Sequence, residues 1–215
     1  MVVGVVVIAG LIGTMYAWRL IHRGRPVWKT LPPFLAVFGA ASLLLMRTID
    51  APPPGGTNVP GAAGVLAVGL LSGALLYLAT RVFVVIALRV PSFARQTRKA
   101  YEEAATAGSR RELVLSLLLA VPGEELLWRG LGYRWAAEQL SSVVAAAVLV
   151  WVLYVIANVP SRSLPIIAGA LVGGALWGVL AWWSGGVLAP LASHILWTGA
   201  MLLLPPSVAD TERTR

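Results

Sequence analysis

About seven long apolar stretches, broken by short polar or Pro/Gly-rich punctuation, organise this chain. They run roughly over 2–20, 31–47, 62–88, 112–137, 141–160, 164–183 and 187–204. Each approaches the roughly 20 mostly apolar residues that a helix needs to cross the hydrocarbon core of a bilayer. In lipid, only helices or closed barrels satisfy every backbone donor and acceptor. These stretches are too long and too continuously apolar for barrel strands. The pattern therefore predicts an all-α fold, a polytopic transmembrane helical bundle of about seven spans. The stretches 112–137 and 141–160 are the least regular of the set.

The connecting segments sharpen this picture. HRGRPVWK after the first stretch is short and basic, and DAPPPGGTNVPG, residues 50–61, reads as a loop. Residues 89–112 form the longest polar stretch, strongly basic, with the pattern of a short amphipathic helix on the membrane surface. The organisation expected is an N-terminal set of helices with a basic loop (1–111), a helical core (112–204) and a polar tail (205–215), with no internal repeat. The first stretch lacks a basic leader and is followed by no small-residue cleavage site. Arg19, Arg23, Arg25 and Lys29 come after it, so it reads as a retained span. The Lys/Arg bias of the short loops places the segments after the first and third spans in the cytoplasm. The C-terminus then lies in the cytoplasm too.

Composition agrees and narrows the chemistry. The chain is 58% hydrophobic and 12% charged, against about half and about a quarter for soluble domains. Its mean hydropathy is +0.81. The formal charge of +8 comes from basic residues clustered between apolar runs. That arrangement suits topology and anionic lipid headgroups, not nucleic acid. The absence of cysteine removes disulfide, thiolate and thiolate-metal chemistry. His22 and His194 are the two histidines, which limits any histidine-based metal site.

Against this background VPGEELLWRG, residues 121–130, is anomalous. One charge at the bilayer centre costs about 2.5–3.5 kcal/mol on the insertion scale, and intramembrane ionisable residues mark function by default. Arg129 follows Glu125 by four residues, so the two stack on one helix face as an ion pair. Glu124 is rotated by about 100° from Glu125 and must face a polar cavity or another helix. There it suits the role of a general base. Candidate partners are Asn158, which shares a face with Tyr154 one turn earlier, and His194, which shares one with Thr198. Alone, Asn158 also reads as a cap or turn residue, His194 as a satisfied membrane histidine and Thr198 as bonded to its own helix. Tyr154 reads as a packing or interfacial aromatic, Arg81 and Arg134 as snorkelling cations, and the tryptophans as packing.

Glu124-Glu125-x-x-x-Arg129-Gly130, Tyr154-x-x-x-Asn158, and GGALWGVLAWWSGGVLAPLASH running into His194-x-x-x-Thr198 together resemble the CAAX protease and bacteriocin-processing (CPBP, abortive-infection) family of intramembrane proteases. That family carries Glu-Glu-x-x-x-Arg, Phe-x-x-x-His and His-x-x-x-Asn on three helices, and the resemblance covers about residues 112–204. Asn158 stands where the family has His, and Thr198 where it has Asn. The resemblance implies an endopeptidase in which Glu124 activates water and His194 with Thr198 stabilises the oxyanion. Asn158 cannot act as a base, but it can hold water by hydrogen bonding. Glu125 and Arg129 form the structural pair. The implied partners are the lipid bilayer and a peptide or membrane-protein substrate in a bacterial plasma membrane, with no cofactor. Glu124, Glu125 and His194 remain a possible ligand set for a divalent metal. A catalytically impaired relative that serves as a binding or immunity partner is the alternative. A small transporter using the Glu pair as a proton site is a weaker one, disfavoured by the lack of repeat symmetry.

Overall fold

The computed structural model describes residues 2–49, 59–106, 109–140 and 142–205. The loop expected at 50–61 lies mostly outside these residues, and so does the tail 205–215 apart from its first residue. Among the described residues the secondary structure is helical, with no strand. The all-α bundle expected from the apolar pattern is the fold found.

The elements are α1 (Val2–His22), α2 (Val27–Leu45), α3 (Ala62–Ala87), α4 (Pro91–Thr106), α5 (Arg110–Glu125), α6 (Tyr133–Gln139), α7 (Val143–Asn158), α8 (Leu164–Ser184) and α9 (Leu188–Leu203). A π-helical segment, Leu126–Gly132, joins α5 to α6 without a break. Among the described residues, five helices are long and apolar enough to cross a membrane: α1, α2 with its 3-10 extension, α3, α7 with its 3-10 extension, and α8. The other two expected spans fall short of that measure. α9 has 16 residues, and the 112–137 stretch is divided among α5, the π segment and α6 and carries Glu124, Glu125, Arg129 and Arg134. The chain is an integral membrane protein.

Helix α2 begins at Val27, four residues before the apolar stretch at about 31, and carries Pro32-Pro33 within it. Pro32 has no N–H to give to the carbonyl four residues back, that of Trp28. Ser116 Oγ on α5 donates to that carbonyl at 3.0 Å, so an interhelical bond replaces the missing intrahelical one. Further along, Gly39 and Gly123 let the two backbones touch. A Cβ on Gly39 would lie 2.5 Å from Gly123 Cα, and one on Gly123 would run into the Leu35 carbonyl. α2 and α5 therefore lie side by side and run in the same direction up to Glu124. Small residues also bring α3 against α9, with Gly69 at Ala189 and Gly73 at Ser193. In membranes such small-residue contacts substitute for the hydrophobic driving force that lipid cannot supply.

One end of the bundle is basic. His22 Nε2 donates to the Pro160 carbonyl at 2.8 Å, and the Leu164 N–H donates to Gln96 Oε1 at 2.7 Å. These bonds bring the end of α1, the α7–α8 turn and α4 together. α4 buries Phe93 and Thr97 and exposes Arg95, Arg98 and Lys99. Phe93 packs on Val84 and Ala87 of α3. The next helix starts cleanly because Ser109 and Glu112 form a capping box.

Candidate active site

The ionisable residues of the fourth apolar stretch are deep inside the bundle. Glu125 is fully buried, and Glu124, Arg129, Asn158 and His194 are each less than a tenth exposed. Burial at that depth requires partners for every charge; four helices supply each charged group with at least one, although Glu125 Oε2 accepts no hydrogen bond.

Arg129 sits in the π segment and spreads its guanidinium over two elements. Nη1 donates to Glu125 Oε1 at 3.3 Å, and Nη2 donates to the Gly174 carbonyl of α8 at 3.1 Å. The group also lies over the Tyr154 ring at 4.4 Å and the Trp177 ring at 5.4 Å, both within cation–π range. Gly174 permits this packing, because a Cβ there would stand 2.9 Å from the Tyr154 ring. The expected Glu125–Arg129 pair is therefore present, and its remaining donors are used to anchor α8.

His194 of α9 faces both carboxylates. Its Nδ1 lies 2.7 Å from Glu125 Oε1, so the proton on Nδ1 is donated to that carboxylate and the second nitrogen points elsewhere. Nε2 lies 4.0 Å from Glu124 Oε2. The imidazole stacks on Trp177 with 3.6 Å between ring centroids and 16° between planes. Trp177 is held in turn by its indole N–H, which donates to Ser193 Oγ at 3.3 Å. Trp177, Ser193 and Gly174 were not singled out in the sequence. The GGALWG run that carries two of them was legible there only as part of a resemblance.

Tyr154 combines its two sequence readings, packing edge-on to Trp128 in the core and turning its hydroxyl to the site. It is buried, and its hydroxyl donates to Glu124 Oε2 at 3.2 Å. Its one polar atom is thus aimed at the Glu124 carboxylate. Asn158, one turn further along α7, gives its Nδ2 to the carbonyl of Tyr154 at 2.9 Å, which leaves Oδ1 as its free acceptor. Thr198 lies one turn after His194; its Oγ1 is buried without a hydrogen-bond partner and does not bond its own helix. Arg134 and His22 lie apart from this cluster, as does Arg81, which donates to Tyr77 at 3.2 Å.

A cavity of about 10 Å³ borders Arg129, Tyr133, Gly174 and Gly178, the lower limit for a single water. Among the described residues no group of three His, Cys, Asp or Glu is arranged to hold a metal ion. His194 turns its two nitrogens to different carboxylates, so the three side chains do not converge on one point.

The arrangement joins two carboxylates, an imidazole and a phenol in a buried interior, beside a guanidinium. Such a centre can move protons and polarise a carbonyl. The family model for Rce1-like proteins, described as type II CAAX prenyl endopeptidases, matches residues 108–200. No curated protein and no solved structure gives a significant match to the chain. The matched segment contains Glu124, Glu125, Arg129, Tyr154, Asn158, His194 and Thr198, so residues 108–200 of this chain are similar to the Rce1-like type II CAAX prenyl endopeptidases.

Proposed function

We propose that the chain is an intramembrane endopeptidase that hydrolyses a peptide bond with water activated by Glu124. The observation that carries this reading is the approach of Glu124 Oε2 to His194 Nε2 at 4.0 Å across 70 residues of sequence, in a buried setting that also holds Glu125 and Arg129. Glu124 takes a proton from water as its oxygen adds to the substrate carbonyl. His194 and Thr198 donate hydrogen bonds to the oxyanion, and the proton on Glu124 passes to the leaving amine as the C–N bond breaks. Asn158 accepts a hydrogen bond from the attacking water through Oδ1. Glu125 and Arg129 hold His194 and the helix in register.

Glu125 Oε1 holds His194 Nδ1 at 2.7 Å, which leaves Nε2 as the nitrogen on the side of Glu124. The reading requires no metal. The substrate is a peptide or membrane protein, reached within a bacterial plasma membrane, with the basic end and the C-terminus in the cytoplasm. A second reading, a non-catalytic relative that binds a membrane partner, is favoured by one observation. Asn158 is no base, and its amide is committed to its own helix.

The test is cleavage by the purified chain in liposomes against peptide and membrane-protein substrates. Glu124→Gln and His194→Ala are each expected to lower the rate at least about a hundred-fold, and strong chelators to leave it unchanged. Cleavage that persists in either variant overturns the mechanism. Absence of cleavage in the unmodified chain favours the binding reading.

A further inference from the structure

We infer that Tyr154 is a positioning residue of the hydrolytic centre: its hydroxyl holds one carboxylate oxygen of Glu124 so that the other is presented to the reacting water. This rests on the hydrolase reading above. The two polar neighbours of Glu124 gather on the same atom. The Tyr154 hydroxyl lies 3.2 Å from Oε2, and His194 Nε2 lies 4.0 Å from it. A carboxylate held on one oxygen cannot turn freely about its last bond, so Oε1 is left as the proton acceptor. At 3.2 Å the bond is longer than an ordinary O–H···O contact, but within a buried site it loses little to competing water.

The ring and the hydroxyl have separable functions. The ring lies under the Arg129 guanidinium and meets Trp128 edge-on with 6.0 Å between centroids. Phenylalanine would serve both contacts. The hydroxyl alone reaches the carboxylate. Asn158 does not substitute for it, because its amide is tied to the Tyr154 carbonyl. Of the two polar groups that α7 turns toward the site, the phenol therefore makes the contact with Glu124. Tyr154 keeps its proton throughout: water gives one proton to Glu124 Oε1, that proton leaves with the amine, and no bond to the phenol oxygen is made or broken.

The experiment compares the full chain with Tyr154→Phe, Tyr154→Leu and Glu124→Gln in liposomes. It reads kcat and KM separately and follows the infrared carboxylate band of Glu124, isolated as the difference from Glu124→Gln. Tyr154→Phe is expected to lower kcat about ten- to hundred-fold with KM and unfolding temperature near the original values, and to shift the carboxylate band. Tyr154→Leu, which also removes the ring beneath Arg129, is expected to lower the unfolding temperature as well. An unchanged kcat in Tyr154→Phe overturns the role, and so does a carboxylate band that does not move. A band that shifts while the unmodified chain cleaves nothing overturns the hydrolase reading, and the catalytic role with it.

Discussion

Arg129 is the side chain on which most of the site's electrostatics converge. Its fork reaches Glu125 and the Gly174 carbonyl, and its face covers two aromatic rings. A lysine keeps the charge but not the planar fork. Arg129→Met leaves the fully buried Glu125 without its cationic partner on the same helix, a change of about 3–5 kcal/mol by analogy with other broken buried pairs. Arg129→Lys should fall between the two. Unfolding in detergent, followed by circular dichroism, would rank the three; equal midpoints would show that Glu125 needs no such partner. At this scale the acidic pair and Arg129 were legible because ionisable residues stand out in an apolar run. The function of Tyr154 was not, because its partner is 30 positions away and nothing in the YVIANVP stretch signals a carboxylate.

Among the elements, the contact of α2 with α5 sets the position of Glu124. Gly39 and Gly123 meet backbone to backbone one residue before it. Gly123→Ala forces a methyl group against the Leu35 carbonyl, and Gly39→Ala against Gly123 Cα. Overpacking of this kind costs about 1–3 kcal/mol. Each variant should lower the unfolding temperature, and the pair together should cost less than the sum, because one separation of the helices relieves both clashes. Full additivity in a thermal melt would mean that the helices are not in contact there. Hydropathy made α1, α2, α3, α7, α8 and α9 readable, but it merged α5, the π segment and α6 into one span. It placed the start of α2 about four residues late, because the first turn, VWKT, carries polar residues. The π segment had no hydropathic signature at all.

For the whole molecule, the sharing of one end by α4, the α1–α2 turn and the α7–α8 turn gives a topological prediction. The chain has no cysteine, so single cysteines report sidedness without background. Arg95 and Glu138 are exposed near opposite ends of the bundle. Arg95→Cys should react with an impermeant maleimide only from the cytoplasmic side, and Glu138→Cys only from the other. Labelling of both from one side would reverse or break the assigned topology. The bundle was legible as a class from composition and apolar run length alone. That α5, α7, α8 and α9 meet at one point was available from sequence only through a resemblance, since their contacts join positions up to 70 residues apart.

The wide turn at Leu126–Gly132 has a consequence for how this membrane helix tolerates change. Up to Glu125 the helix keeps step with α2 and α9. Beyond Gly132 it answers to other neighbours, with Gly132 near Val150 and Trp135 against Gly4 of α1. An unbroken α-helix would lock these two phases together, and drift in one half would twist the carboxylates in the other. The slack residue in the π turn uncouples them, so the outer half can vary its packing while the acidic pair keeps its heading.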